Sequence, residues 1–121
     1  MPKVLVVDDA LFMRTTLSNM LEEWGLEVVA QASNGKEAIS LYDEFLPDLV
    51  TMDLTMPVMS GIDSMKFILE KHPKAKIIMI TALGQERIII NAIENGAKDF
   101  ITKPFQSEKL KEIVYNVLKL S

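Results

Sequence analysis

The sequence predicts an α/β protein: a doubly wound sheet of five parallel strands with helices packed on both faces. Short apolar runs alternate five times with longer segments that carry the 3.6-residue period of an amphipathic helix. The 121 residues are enough for one domain, and 49% of them are apolar, enough for a proper core. The lack of cysteine excludes disulfide bonds, thiol nucleophiles and zinc–thiolate sites.

The predicted strands are the five apolar runs, at 4–7, 27–30, 49–52, 77–80 and 100–102. Four of them are apolar and rich in β-branched residues, which is typical of parallel strands covered on both faces. The second run starts with Glu27 and is half polar there, so we expect it at an edge of the sheet.

The predicted helices each carry one apolar stripe, and turn residues bound them. The stripes are Met13, Leu17, Met20, Leu21 and Trp24 in the first helix; Ala38, Leu41, Tyr42 and Phe45 in the second; Ile62, Met65, Ile68 and Leu69 in the third; and Leu110, Ile113, Val114, Val117 and Leu118 in the fifth. The fourth helix is predicted at 86–95 and ends at Gly96. Ser107 is predicted as the N-cap of the fifth helix.

Polar residues follow four of the five strands. Asp8 and Asp9 follow the first, Asp53 the third, Thr81 the fourth and Lys103 the fifth. The carboxyl ends of parallel strands share one edge of a sheet, and in the strand order 2-1-3-4-5 these four strands are neighbours. We therefore expect the five side chains to lie in one pocket.

The chemistry of such a pocket favours a metal ion and a phosphoryl group. Three carboxylates repel one another, and Mg²⁺, which prefers oxygen ligands, relieves that repulsion. Mg²⁺ and the charge of Lys103 together balance three aspartates, so the pocket could accept a phosphoryl group. Asp53 is the candidate nucleophile that would form an aspartyl phosphate, and the Thr81 hydroxyl could donate a hydrogen bond to a phosphoryl oxygen.

These residues, in this order, resemble the receiver domain of bacterial two-component response regulators. The resemblance rests on Asp8-Asp9, on Asp53 with Met56-Pro57 after it, on Thr81-Ala82 and on Lys103-Pro104-Phe105, and it covers essentially the whole chain. The stretches 12–14, 51–53 and 96–100 look closest to stand-alone chemotaxis response regulators of the CheY type. The resemblance implies a flavodoxin-like fold with strand order 2-1-3-4-5, and a receiver domain over residues 1–121 with no output domain.

The resemblance also implies how the metal and the phosphoryl group are held. Asp53 would be the phosphoacceptor and a metal ligand. Asp9 would bind Mg²⁺ directly, Asp8 would act mainly through water, and the backbone carbonyl of Thr55 would complete the protein ligands. Lys103 would pair with the phosphoryl group, next to a Lys103–Pro104 peptide bond that the family usually holds cis.

A switch and an output face are implied as well. The Thr81 hydroxyl would move to the phosphate, and the ring of Phe100 would turn inward behind it. The output face of the family consists of the fourth helix, the fifth strand and the fifth helix. The isoleucines at 88–90 and 93 spread too widely for one buried stripe, so part of the fourth helix should be exposed. Ile89 and Lys98 are the predicted contact residues.

Three residues depart from the family pattern. Phe100 stands where chemotaxis regulators often have Tyr, Thr55 where Asn is frequent, and Leu83 where an acid is frequent. Thr55 and Leu83 flank the phosphoryl group in the family, so the sequence does not determine the lifetime of the phosphorylated state.

The implied partners are a sensor histidine kinase as phosphoryl donor, a flagellar motor switch protein or another output protein, and a phosphatase. The receiver would act as a signalling phosphoacceptor and not as an enzyme. A phosphorelay intermediate, or a free-standing receiver of another pathway, is the alternative within the family. A Mg²⁺-dependent aspartyl-phosphate phosphohydrolase is more remote, because most have a second acid where this chain has Thr55. A flavin-binding protein is disfavoured, since Asp8-Asp9 would repel the flavin phosphate.

Charge and hydropathy limit the remaining possibilities. The net charge is −4 and no basic run is present, so neither nucleic acid nor an anionic membrane surface is an expected partner. The first apolar run is too short for a signal peptide or a membrane span. We expect a cytoplasmic monomer.

Overall fold

The computed structural model describes residues 1–82 and 84–120 and confirms the predicted fold class. Strands and helices alternate along the chain as β1 Lys3–Val7, α1 Leu11–Glu23, β2 Glu27–Ala32, α2 Gly35–Phe45, β3 Leu49–Asp53, α3 Gly61–Lys71, β4 Ile77–Ala82, α4 Glu86–Glu94, β5 Asp99–Lys103 and α5 Ser107–Leu118. The strands are parallel and follow the order β2-β1-β3-β4-β5. Among the described residues, no helix is both long and apolar enough to cross a bilayer.

The core has two layers because side chains alternate between the two faces of each strand. One layer joins strand residues such as Leu5, Val50 and Met79 to α2 and α3, with Ala92 of α4 at its side. The other joins strand residues such as Val6 and Ile80 to α1 and α5. Both faces of the central strands are therefore buried, which explains why these strands are continuously apolar.

The strand registers bring the carboxyl ends of four strands to one level. Val7, the last residue of β1, pairs with Met52, and Asp53 pairs with Ile80. On the other side of β4, Thr81 pairs with Thr102. The residues that follow β1 and those that end β3, β4 and β5 consequently lie side by side.

Two details of the predicted elements are wrong. The fifth strand is predicted to be covered on both faces, but only Ile101 is buried within β5 and Phe100 is exposed. The position of β5 at an edge of the sheet agrees with the expected strand order. Ser107 is the first residue of α5 and not its N-cap; the N-cap is Gln106, whose side chain makes no capping bond. The expected edge position of β2 is confirmed.

Gly61 allows α3 to begin directly against the end of β3. The Gly61 amide donates a 2.9 Å hydrogen bond to the Leu54 carbonyl. A Cβ at this position would collide with the backbone oxygen of Asp53 and would lie 3.0 Å from the Leu54 Cα. Because both are backbone atoms that cannot rotate away, only glycine fits here without a shift of the loop that carries Asp53.

Candidate functional site

Three aspartates meet at the carboxyl edge of the sheet. Carboxylate oxygens of Asp8, Asp9 and Asp53 all lie within 4.8 Å of one another. Asp8 is 1% exposed and Asp53 is 7% exposed, whereas Asp9 is exposed to solvent. The structure thus brings the three together, two at the floor of the site and one at its rim.

Lys103 supplies the positive charge of the site. Its Nζ lies 3.2 Å from Oδ2 of Asp8 and 3.6 Å from Oδ1 of Asp53. The Lys103–Pro104 peptide bond is cis, as the family resemblance implies. Three carboxylates and one ammonium leave an excess of two negative charges, which one divalent cation would balance.

Asp8 is held in place from two other directions. The backbone N–H of Ala10 donates to Oδ1 of Asp8 at 2.9 Å. The Arg14 guanidinium donates to the Asp8 backbone carbonyl at 2.7 Å and so ties the start of α1 to the end of β1. No role for Arg14 is predicted from the sequence, because nothing in the local pattern links it to a carbonyl six residues earlier.

Burial and the surrounding charges of the site shift the pKa of Asp53. Burial raises the pKa of the Asp53 carboxyl to about 6, and the negative charges of Asp8 and Asp9 act in the same direction. The Lys103 ammonium and the backbone N–H of Thr55 lower this pKa, but they do not offset the increase. A cation is the species that would restore the ionised form of Asp53 at lower pH.

The donor set suits a hard cation. Carboxylate oxygens that converge within a few ångströms are the ligands that Mg²⁺ takes in proteins. The two excess negative charges of the site would also be balanced by the two positive charges of the ion. Thr55, whose carbonyl the family resemblance adds to the ligands, lies in the turn two residues after β3 ends. Asp8, Asp9, Asp53 and Thr55 are therefore the residues that could hold the ion.

A second cluster of hydrogen-bonded polar groups is centred on Gln85 and joins the end of β4 to the turn after β3. The Thr81 hydroxyl donates to Oε1 of Gln85 at 2.7 Å, and the Ala82 backbone N–H donates to the same oxygen at 3.1 Å. The Gln85 amide nitrogen donates to the Thr55 hydroxyl at 3.2 Å. Gln85 is not among the predicted site residues. Its partners Thr81 and Ala82 precede it by only four and three residues, but Thr55 is 30 residues away in the chain and is brought near by the fold.

The predicted output face is partly exposed. Ile89 is only 9% exposed because it turns toward the sheet with Ala92, yet it borders the groove between α4 and β5, so its role as a contact residue stays a prediction. Ile88, Ile90 and Ile93 are more exposed, with Ile90 58% exposed. Lys98, the other predicted contact, is exposed.

Phe100 lines a groove between α4 and β5. Its side chain is 37% exposed, and the groove of about 380 Å³ is also bordered by Ile90, Ile93 and Thr102. Phe100 and Thr81, the predicted switch pair, lie on the two neighbouring strands β5 and β4. Leu83, the third residue that departs from the family pattern, lies outside the described residues.

Comparison with known proteins identifies relatives over almost the whole chain. The family described as response regulator receiver domain matches residues 4–115. Chemotaxis protein CheY of Listeria monocytogenes is 49% identical over 119 residues, which is 98% of this chain and 100% of that protein. Protein CcdB of Bacillus subtilis is 52% identical over 118 residues, 98% of each chain.

A solved structure matches both the fold and the sequence. The crystal structure of the CheX-CheY-BeF3-Mg²⁺ complex from Borrelia burgdorferi contains a chain that is 37% identical, with a TM-score of 0.91. The match covers 95% of this chain and 87% of that one.

Proposed function

Because the chain belongs to the response regulator receiver family and is of the CheY type, we propose that it accepts a phosphoryl group from a sensor histidine kinase onto Asp53 and then controls a partner protein. The observation that carries the proposal is the buried carboxylate of Asp53, which lies beside two further aspartates and one lysine. Such an arrangement favours phosphoryl transfer, in which catalysis consists mainly of positioning and charge compensation.

Asp53 is the group that reacts. One of its carboxylate oxygens forms a bond to phosphorus while the bond between phosphorus and the donor's imidazole nitrogen breaks. The imidazole keeps that electron pair and takes up a proton, and Asp53 becomes an aspartyl phosphate. The raised pKa of the carboxyl means that a cation, by keeping Asp53 ionised, would widen the pH range in which it is nucleophilic.

The neighbouring residues compensate charge. Asp8, Asp9, Asp53 and the Thr55 carbonyl would hold Mg²⁺, which would neutralise carboxylates and phosphoryl oxygens when bound. The Lys103 ammonium, 3.6 Å from Asp53, can pair with an oxygen of the new phosphoryl group. The Thr81 hydroxyl, buried at the neighbouring strand end, would supply a hydrogen bond to another of these oxygens.

The output surface is the groove between α4 and β5 together with α5. Movement of Thr81 toward the phosphate and of the Phe100 ring into the protein would change the shape of this groove. We propose a flagellar motor switch protein as the partner, since the curated relatives include chemotaxis proteins CheY at about half identity.

A second assignment within the family also has support. The 52% identity to Protein CcdB shows that a similar chain carries a name outside chemotaxis. The protein could therefore serve as a phosphorelay intermediate or as a free-standing receiver of another pathway. Binding of the beryllofluoride-loaded chain to a motor switch protein, compared with binding to a histidine phosphotransfer domain, separates these assignments.

The other proposals follow from the same site. The phosphoryl group is transferred to a side chain of the protein itself, Asp53. We therefore class the chain as a signalling phosphoacceptor and not as an enzyme. A phosphatase partner is proposed from the family resemblance; in the Borrelia complex a CheY chain is bound to another protein, CheX. Most Mg²⁺-dependent phosphohydrolases of this kind carry a general acid two residues after the nucleophile, and Thr55 stands at that position here.

Intact-mass spectrometry after incubation with acetyl phosphate tests the proposal. One added phosphoryl group is expected, dependent on Mg²⁺ and absent in Asp53→Asn. The control Asp63→Asn, an exposed aspartate in the first turn of α3, should be modified like the wild type. If neither an adduct nor binding of the stable mimic beryllofluoride is observed, the phosphoacceptor function is wrong.

A further inference from the structure

Gln85 connects the two strand ends that flank Asp53. Its carboxamide oxygen accepts from the Thr81 hydroxyl and from the Ala82 backbone N–H, at 2.7 and 3.1 Å. Its amide nitrogen donates to the Thr55 hydroxyl at 3.2 Å, so one side chain spans from β4 to the turn after β3. Three hydrogen bonds from one carboxamide place it firmly.

The side chain of Gln85 makes these hydrogen bonds to residues of the phosphoryl site and not to the backbone of the helix that follows. Gln85 is the N-cap residue of α4, yet its side chain makes no capping bond to that helix. Its backbone carbonyl, in contrast, accepts from the Ile89 N–H at 3.0 Å in the first turn of α4. Gln85 thus joins a side-chain bond in the phosphoryl site to a backbone bond of α4.

The Thr81 hydroxyl can donate only one hydrogen bond at a time. Its shorter contact is with Oε1 of Gln85 at 2.7 Å, and the Ala82 backbone carbonyl lies at 3.3 Å as a weaker alternative acceptor. A proton donated to Gln85 cannot also be donated to a phosphoryl oxygen on Asp53. Thr81 is fully buried, so a hydroxyl that loses Gln85 without gaining another good acceptor would keep only the long 3.3 Å contact with the Ala82 carbonyl. Gln85 and the phosphoryl oxygen therefore compete for the same proton.

We propose that Gln85 is a positioning residue that holds the Thr81 hydroxyl in the unphosphorylated state and releases it when Asp53 is phosphorylated. The inference rests on the proposed function, since it concerns the same site. Breaking the Thr81–Gln85 bond removes the shortest of the three side-chain bonds that fix the N-cap residue of α4, and this is the step that links the hydroxyl to α4. Ile90 and Ile93, in the groove beside β5, lie on that helix.

The test is the affinity for beryllofluoride in the presence of Mg²⁺, measured by titration followed with NMR. In Gln85→Ala, the competing acceptor is lost, and the affinity should rise about fivefold, the equivalent of one net hydrogen bond. Gln85→Glu keeps an acceptor for Thr81 and Ala82 but adds a negative charge, so the affinity should fall. Opposite changes from two substitutions at one position are not expected if Gln85 only supports the fold.

Two control variants assign the effect to Thr81. In a Thr81→Ala background, Gln85→Ala should leave the affinity unchanged, because the proton for which the acceptors compete is missing. Gln106→Ala removes a glutamine at the corresponding N-cap position of α5, where its side chain makes no capping bond, and should also have no effect. Equal effects of Gln85→Ala in both Thr81 backgrounds would overturn the inference.

A second readout needs no variant. The Ala82 amide donates to the Gln85 oxygen, so its hydrogen exchange in the wild-type chain should become faster when beryllofluoride draws Thr81 away and Gln85 is released. Unchanged or slower exchange of this amide in the loaded chain would contradict release. Absence of beryllofluoride binding in every variant would instead overturn the proposed function, whereas binding with an unchanged affinity ratio would overturn the role of Gln85 alone.

Discussion

The Lys103 ammonium lies closer to Asp8 than to Asp53, at 3.2 Å from Oδ2 of Asp8 and 3.6 Å from Oδ1 of Asp53. The ammonium therefore interacts more strongly with Asp8 than with Asp53. Asp53 keeps an excess of negative surroundings, and the pKa of its carboxyl is raised to about 6. This distribution of charge governs how the site should respond to mutation, pH and metal.

Removal of the lysine should separate metal binding from signalling. In Lys103→Ala the cluster loses the ammonium that pairs with Asp8 and Asp53, so Mg²⁺ should bind at least as tightly as in the wild type, while the beryllofluoride-induced NMR shifts of Ile90 and Phe100 should largely disappear. Lys74→Ala, which removes the same charge from an exposed turn before β4, should preserve both responses. Undiminished shifts in Lys103→Ala would show that Lys103 does not couple the site to the α4–β5 groove.

Asp9 should contribute strongly to metal affinity although it is exposed. Its carboxylate belongs to the cluster within 4.8 Å, and loss of one of three charged ligands should weaken Mg²⁺ binding by about tenfold or more, since breaking a charged contact costs about 1.5–3 kcal/mol. Isothermal titration of Asp9→Ala measures this. Glu23→Ala, an exposed acid at the far end of α1, is the matched control and should bind normally. Equal affinities of both variants would exclude Asp9 as a ligand.

The buried charge of Asp53 should destabilise the metal-free protein at alkaline pH. The pKa of Asp53 is higher in the folded chain, about 6, than the ordinary value of 3.8, so the folded state holds the proton more tightly. The penalty is therefore complete above pH 6 and is lost as the pH falls to about 4. Asp53→Asn should raise the free energy of unfolding by about 2 kcal/mol at pH 8 and by little near pH 4.

Urea unfolding of the wild type and of Asp53→Asn without Mg²⁺, at about pH 8 and near pH 4, tests this predicted pH dependence of the stabilisation. Added Mg²⁺ should stabilise the wild type at pH 8 and should have a much smaller effect on Asp53→Asn. A stabilisation by Asp53→Asn that is independent of pH would show that desolvation of the carboxylate is not its cause.

Gly61 should be intolerant of any side chain. A Cβ would meet the backbone of Asp53 and Leu54, so Gly61→Ala should cost about 1–3 kcal/mol of unfolding free energy and weaken Mg²⁺ binding. Gly25→Ala separates this collision from backbone strain, because Gly25 has φ +88° but no atom within 4 Å of an added Cβ. That control should lose stability, by about 1 kcal/mol, without a change in Mg²⁺ affinity. Normal metal binding by Gly61→Ala would refute the link to Asp53.

Neighbouring isoleucines of α4 should behave differently. Ile89 is 9% exposed, and Ile89→Ala should cost about 2 kcal/mol or more of stability. Ile90 is 58% exposed, and Ile90→Ala should change stability by about 0.5 kcal/mol or less while weakening the binding of a partner to the groove. Thermal unfolding and a binding titration with the motor switch protein distinguish them. The reverse pattern of stabilities would mean that α4 is rotated relative to the arrangement described.

The fold and most of the site follow from local patterns in the chain. Apolar runs of strand length alternate with amphipathic segments, and only a parallel sheet with helices on both faces buries all of them. Because the strands are parallel, the residues that follow them lie at one edge of the sheet. That is why the amino-acid sequence alone is enough to expect Asp8, Asp9, Asp53 and Lys103 together.

Other features depended on the tertiary structure, because they arise from distances between segments far apart in the chain. The rotation of α4 against the sheet buries Ile89 and exposes Ile90, although both belong to one apolar run. The preference of Lys103 for Asp8, and the bond from Gln85 to Thr55, are choices among hydrogen-bond partners that compete in space. Periodicity determines that a helix forms and that it has an apolar side; packing in three dimensions determines which residue of that side meets solvent and which atom each polar group contacts.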